Sequence, residues 1–429
     1  MSDAPAQSPL SPYELLVTAD DVVRYLDGRG LLGLLAETGS EVAVREVTAG
    51  NMNRVFIAAG PRGSLAVKQA PPWVQVVGPE WPIDPSRIVR EARTYEQLAG
   101  SVPDSIPTIV SFDPERYVLV MEDLSDLVVL RDALVAEVGG EDAGVDYSAL
   151  GRVVGRFVGE LAAGTSVAAL GQQAHGELVE SSANPELCAL TLDVVLDEPY
   201  REHEHNHWHP VLDERVRGLY RDEAVHAAVA RIRAAFEQRE EALLHGDLHS
   251  GSVMVGRRDG AQLVKVFDPE FSFVGPIGMD LGLFWANLEI AALAAEAVGD
   301  HELAAARYSA IAASLDAFAA AWGDDESLAA IVSDSWSFAG VEGMRRAAGF
   351  SHAADIESLP EPARAAASSR LFDVAREHIL SGAEVAHPFA AAADSAAASG
   401  AAVAPDSATA SGAAVPDSPT ASDASKERP

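Results

Sequence analysis

The stretch Leu244-His245-Gly246-Asp247-Leu248-His249-Ser250-Gly251-Ser252, followed by Val266-Phe267-Asp268-Pro269-Glu270, decides how this 429-residue chain is read. Asp247 and Asp268 are 21 residues apart. Between them the residues predict a strand from Ser252 to Val255, a turn at Arg257-Arg258-Asp259-Gly260 and a second strand from Gln262 to Phe267. A hairpin returns the chain to its starting point, so both carboxylates can face one site. One carboxylate beside an acceptor hydroxyl and a second on a metal ion is what phosphoryl transfer asks of a protein.

Acidic residues flanking a hairpin are common, and His-Gly-Asp alone is a weak signal. The specific feature is the order: an apolar run, HGD, a short loop, two apolar strands, then D-x-E.

Upstream, Ala43 to Val47, Val55 to Ala59 and Leu65 to Gln69 read as three strands. A loop rich in Pro and Trp follows from Pro71 to Pro85. Arg87 to Ala99 has helical periodicity, with Ile88, Ala92, Tyr95 and Leu98 on one face. Two more strands are predicted near Ile109 to Phe112 and Tyr117 to Met121. From about Leu130 to Glu384 the pattern is mostly helical. The expected fold is α+β and two-lobed: a flexible arm at 1–12, a β-rich nucleotide-binding lobe at 13–123, a helical catalytic lobe at 124–388 and a disordered tail at 389–429. The tail is almost all Ala, Ser, Pro, Asp, Gly and Thr, and burial there cannot offset the entropy of ordering it.

Lys68 lies in the apolar run Leu65-Ala66-Val67-Lys68-Gln69. A lysine there needs a paired charge or a solvent-facing edge. With HGD and D-x-E downstream, the paired reading is preferred. Such a lysine holds nucleotide phosphates and pairs with a helix carboxylate. Glu91 is the candidate partner and Glu96 the alternative. Gly50-Asn51-Met52-Asn53 could present backbone N–H groups to phosphates, but alone it reads as an ordinary hairpin turn. Met121-Glu122-Asp123-Leu124 ends the last N-terminal strand, where a hinge would offer main-chain groups to adenine.

These residues resemble the aminoglycoside-phosphotransferase-like kinases and, within them, the methylthioribose kinases. The resemblance rests on HGDLHSGS, with Ser252 five residues after Asp247 where the wider superfamily carries Asn. It extends through Asp268-Pro269-Glu270-Phe271, Gly275 to Gly282, Asn287-Leu288, Val120 to Ser125, Asn184 to Cys188, Trp81-Pro82, Phe338-Ala339-Gly340, Met344-Arg345-Arg346 and Ser351 to Asp355. It implies a protein-kinase-like fold and ATP-dependent phosphorylation of the 1-hydroxyl of 5-methylthioribose, with Mg²⁺. Asp247 would be catalytic and would meet the sugar. Asn51, Lys68, Glu122, Asp123, Leu124, Asp268, Pro269 and Glu270 would bind ATP, and Asp268 and Glu270 the metal. Arg345 and Arg346 would reach the substrate, while Glu91 and Ser252 support the site. A homodimer is also implied. The chain departs from the family at Ser250, where Thr is usual, and at TAGNMN, which replaces a DGN-type loop. Adjacent residues on a helix point about 100° apart, so the residues alone leave the pair ambiguous: the two are not expected to share one role, and one could bind substrate while the other makes a structural ion pair. Two other readings stay open: a kinase of this fold with another hydroxyl acceptor, and an inactive nucleotide-binding protein.

A net charge of −34 argues against a nucleic-acid partner, which needs basic surface. Cys188 is the single cysteine, which excludes intrachain disulfides and multi-cysteine metal sites and suits a reducing cytoplasm. No secretory signal is visible, and charged residues interrupt the alanine-rich stretches, so no membrane span is expected. The tract His203-Glu204-His205-Asn206-His207-Trp208-His209 has the look of a metal tract. No carboxylate or cysteine framework surrounds it in the sequence, and it is read as a solvated loop near the substrate entrance.

Overall fold

A computed structural model of the chain describes residues 13–48, 52–258 and 260–381. The expected arm at 1–12, Asn51 and the tail from 389 lie outside the described residues.

The N-terminal region is built on a sheet. Helix α1 (Ala19–Gly28) starts at a capping box in which Thr18 and Asp21 bond each other's backbone N–H groups. Strands β1 (Ala43–Val47), β2 (Arg54–Gly60) and β3 (Gly63–Gln69) run antiparallel in sequence order. The stretch expected to be a plain loop contains a short ribbon, β4 (Trp73–Val74) with β5 (Gly78–Pro82). Helix α2 (Arg87–Ser101) follows, and its expected face of Ile88, Ala92, Tyr95 and Leu98 is buried. Strands β6 (Ile109–Asp113) and β7 (Val118–Glu122) complete a five-stranded sheet of order β1-β2-β3-β7-β6. Leu16, Val22 and Leu26 pack against Phe56, Val67, Val118 and Val120 to form one core of this region.

The C-terminal region is mostly helical. It contains β8 (Val128–Val129), α3 (Leu130–Val138), α4 (Tyr147–Thr165), α5 (Val167–Ser181), α6 (Pro185–Leu196), α7 (Asp213–Leu219) and α8 (Glu223–Gln238). Four strands then flank the motif: β9 (Ala242–Leu243), β10 (Val253–Arg258), β11 (Ala261–Val266) and β12 (Val274–Gly275). Helices α9 (Gly278–Ala297), α10 (His301–Trp322), α11 (Asp325–Ala348), α12 (Ala354–Glu357) and α13 (Ala363–Ser381) close the fold. Every residue of α9 from Gly278 to Ala295 is buried. A helix apolar on all sides belongs in the middle of a core, and α10, α11 and α13 pack around this one. Among the described residues no single helix is long and apolar enough to cross a membrane.

The hairpin between the two motif aspartates is present with shifted ends. β10 runs through Arg257 and Arg258, which were assigned to the turn, and Arg258 pairs in register with Ala261. Arg258 is held there by Asp126 and Glu122, with Nε 3.0 Å from Asp126 Oδ2 and Nη1 3.1 Å from Glu122 Oε1. Those partners lie more than a hundred residues away, beyond the reach of local turn signals.

Helices α4 and α10 approach closely because Gly151, Gly155 and Gly159 recur every four residues on the facing side of α4. A Cβ on Gly155 would lie 2.0 Å from the Ser314 carbonyl oxygen, a backbone atom that cannot swing away. Gly155→Ala is therefore expected to cost about 1–3 kcal/mol by overpacking. Urea denaturation measures this, and an unchanged midpoint would contradict the close-packed interface.

Candidate active site

Three local constraints hold the HGD loop. Gly246 has φ +85°, and a Cβ there would sit 2.2 Å from the Phe271 carbonyl oxygen. Glycine is required on both grounds. Asp280, fully buried on the first turn of α9, accepts the backbone N–H groups of His245 at 2.7 Å and Gly246 at 3.0 Å. Burial pushes the Asp280 carboxyl above its ordinary range, although both N–H groups oppose this. His245 Nε2 lies 2.9 Å from the Phe267 carbonyl oxygen and so ties the loop to the end of β11. Ser252 Oγ donates to the Asp247 carbonyl oxygen at 2.9 Å, which stiffens the turn beneath the aspartate.

The Asp247 side chain is 29% exposed, and His249 Nε2 is 3.3 Å from its Oδ2. Burial raises the Asp247 carboxyl, but His249, Arg345 and Arg346 outweigh it and hold the group well below the usual carboxylate range. Asp247 is thus an anion at neutral pH, able to accept a hydrogen bond from a hydroxyl.

The second aspartate sits in a charge cluster. Asp268 has φ +67°, a conformation most side chains avoid and one that recurs at functional sites. Its N–H donates to Tyr95 Oη at 2.9 Å. Its carboxylate contacts the Lys68 ammonium, which also bonds Glu91 Oε1 at 2.8 Å. Glu91 is fully buried on α2, whereas Glu96 is exposed, so the geometry selects Glu91. Burial disfavours the Lys68 cation, yet Asp268 and Glu91 overcome this and raise its pKa well above the ordinary value. Glu270 accepts from Asn53 Nδ2 at 2.7 Å and lies 3.6 Å from Arg87 Nε. Burial, with Asp268 beside it, pushes Glu270 up to about 7 against the pull of Lys68 and Arg87. Carboxylate oxygens of Glu91, Asp268 and Glu270 lie within 4.8 Å of one another. An all-oxygen set of this kind fits a hard divalent cation.

One cavity of about 910 Å³ collects these groups. It is lined by Lys68, Glu91, Glu122, Asp123, Leu124, Asp247, Ser252, Asp268, Glu270, Arg345 and Arg346, with Trp81 also on its wall. Pro269 is absent from the lining; its carbonyl accepts the Ser272 N–H at 3.2 Å and shapes the turn after Asp268.

The arginine pair differs from expectation. Both guanidiniums converge on Glu342, with Arg345 Nε and Nη2 at 2.8 Å and Arg346 Nε at 2.7 Å. Positions three and four residues along a helix share a face with the first, so two adjacent arginines can meet one glutamate a turn earlier. Glu342 is fully buried, and although burial raises its carboxyl, the two arginines hold it down at about 2. Sequence reasoning passed over Glu342, Asn53 and Asp280. For Glu342 a signal existed, an acidic residue three and four positions before an Arg-Arg pair. Asn53 and Glu270 are 217 residues apart, and nothing local announces their contact.

The model of the phosphotransferase enzyme family matches residues 43–326. The chain is 36% identical over 344 residues to methylthioribose kinase of Geobacillus kaustophilus, covering 76% of this chain and 84% of that one. It is 34% identical over 370 residues to methylthioribose kinase of Geobacillus thermodenitrificans, covering 82% and 90%. The chain therefore belongs to the phosphotransferase enzyme family. Its relatives within that family are methylthioribose kinases, and it is a small-molecule kinase of two-lobed, protein-kinase-like fold.

Glu342→Ala would remove the carboxylate that both guanidiniums share, leaving Asp247 as the acid beside them. A loss of about 3–5 kcal/mol is expected in chemical denaturation. Wild-type stability in that variant would show that the fork is not structural.

Proposed function

We propose that this enzyme transfers the γ-phosphoryl group of ATP to the 1-hydroxyl of 5-methylthioribose, giving the 1-phosphate that enters methionine salvage in the cytoplasm. The observation that carries the reading is the shared cavity. Asp247, Arg345 and Arg346 line it together with Lys68, Asp268 and Glu270. The kinase relatives supply the acceptor.

In this reading Lys68, kept in place by Glu91, donates to the α- and β-phosphates. Glu122, Asp123 and Leu124 meet the adenine side of ATP, and Asn51 the phosphates. Asp268 and Glu270 would hold Mg²⁺, which would supply positive charge against that of the phosphates. Asp247 accepts a hydrogen bond from the sugar hydroxyl and aims it at the phosphorus. Its low basicity means that it takes the proton late, once bonding to phosphorus has made the hydroxyl acidic, consistent with a loose transition state. Arg345 and Arg346, pre-positioned by Glu342, stabilise negative charge developing across the acceptor side. Transfer is in-line and needs no phosphoenzyme.

Release of ADP from Mg·ATP with 5-methylthioribose, ribose or an aminoglycoside tests the acceptor. Rapid turnover on methylthioribose alone is expected, and turnover on the aminoglycoside instead would overturn the assignment. Asp247→Asn should lower kcat about 10²–10⁴-fold with little change in ATP affinity. Comparable turnover in that variant would remove Asp247 from the mechanism.

A further inference from the structure

The histidine tract that seemed to lack a carboxylate acquires one in three dimensions. After α6 ends at Leu196, the turn Glu198–Tyr200 carries Glu198 into the interior, where it is 6% exposed. The following loop folds back over it. His205 Nδ1 lies 3.0 Å from Glu198 Oε2 and 3.2 Å from Oε1, and His203 Nδ1 lies 3.6 Å from Oε2. Ligand-capable atoms of all three residues fall within 4.8 Å of one another. Asn206 fixes the loop by donating Nδ2 to the carbonyl oxygens of Glu198 at 2.7 Å and Arg201 at 2.9 Å.

Among the described residues, the ion-pair partners of Glu198 are these two histidines, and no lysine or arginine pairs with it. A buried carboxylate needs a compensating charge, and a cation held between Glu198 and the two rings would supply it.

We infer that Glu198, His203 and His205 bind a divalent transition-metal ion of the Zn²⁺ class. Two imidazoles and one carboxylate form a three-ligand zinc set that leaves a fourth position open. Imidazole nitrogen suits such ions and not Mg²⁺ or Ca²⁺, which take oxygen. Metal–ligand bonds of about 2.0–2.1 Å in a tetrahedron place donor atoms roughly 3.3 Å apart, between the 3.0 Å and 3.6 Å separations found here. His203 Nδ1 also receives the His205 backbone N–H at 3.3 Å, a long contact that metal coordination would replace. This site is chemically distinct from the Glu91–Asp268–Glu270 cluster, which offers oxygen alone.

The location suggests what the ion does. The His205 ring packs on Phe350, with centroids 5.3 Å apart, and Phe350 lines the large cavity beside Arg346. A metal bound by Glu198, His203 and His205 would therefore brace the loop behind that wall.

The test uses the full-length protein stripped with a chelator and then dialysed against Zn²⁺ in the presence of excess Mg²⁺, which occupies the carboxylate cluster. Bound metal is counted by elemental analysis, and Co²⁺ replaces Zn²⁺ for a visible spectrum. One equivalent per chain is expected in the wild type, with a tetrahedral Co²⁺ spectrum and a raised melting temperature. All three should be lost in His203→Ala and His205→Ala. His207→Ala, in the same loop but outside the cluster, should keep them, and circular dichroism confirms that each variant is folded. Absence of stoichiometric metal in the wild type, or retention of it in the His203→Ala/His205→Ala double variant, would overturn the assignment. None of the three readouts depends on the identity of the phosphoryl acceptor.

Discussion

Lys68 reaches from β3 to a carboxylate on α2 and to another just past β11, so one ammonium ties together three parts of the chain. The local charge count explains why this contact matters. Glu91, Asp268 and Glu270 bring three negative charges into a mostly buried space, and Lys68 and Arg87 bring two positive ones. The surplus falls on the most buried members: burial, together with the neighbouring acids, pushes Glu91 up to about 8 and Glu270 up to about 7. Removing one partner from such a cluster strands the others in a poor solvent for charge. The sheet, α2 and the hairpin must therefore adopt their mutual positions together, and the cavity between them inherits that rigidity. Further positive charge placed there, on a metal ion, would offset the mutual repulsion of these carboxylates.

The HGD loop depends on a different kind of restraint. Its geometry comes from backbone groups, with two N–H bonds to Asp280 and a glycine wedged against Phe271. Asp247 is consequently held by a main chain that cannot relax, while its side chain stays accessible. Positioning through rigid backbone is what a reaction with little covalent chemistry requires of its scaffold.

Much of this was legible in the chain. Lys68 stood out because an ammonium is out of place in an apolar strand, and Asp247 and Asp268 because a hairpin between them brings distant residues together. The α2 face was readable from its 3.6-residue period. What escaped notice depended on long-range contacts or on a rule applied too narrowly. Asn53 meets Glu270 across 217 residues. β10 was cut short because two arginines look like turn residues until Asp126 and Glu122 pair with Arg258. The 100° between neighbouring helix positions separates Arg345 from Arg346, but Glu342, one turn earlier, reaches both. The histidine tract was dismissed for lack of an acid that the fold delivers from the preceding turn.

Helix α9 has no face for water over most of its length, and α10, α11 and α13, which pack around it, all follow it in the chain. During synthesis α9 leaves the ribosome before those partners exist. Part of its apolar surface stays uncovered until the last helix is made, a state prone to aggregation and to capture by chaperones. Asp280 lies on its first turn and holds the HGD loop. A nascent chain can complete its N-terminal sheet early, but its HGD loop settles only when the C-terminal helices arrive. The order of this loop is thereby coupled to synthesis of the helices that bury α9, and a chain truncated before α13 would expose part of α9.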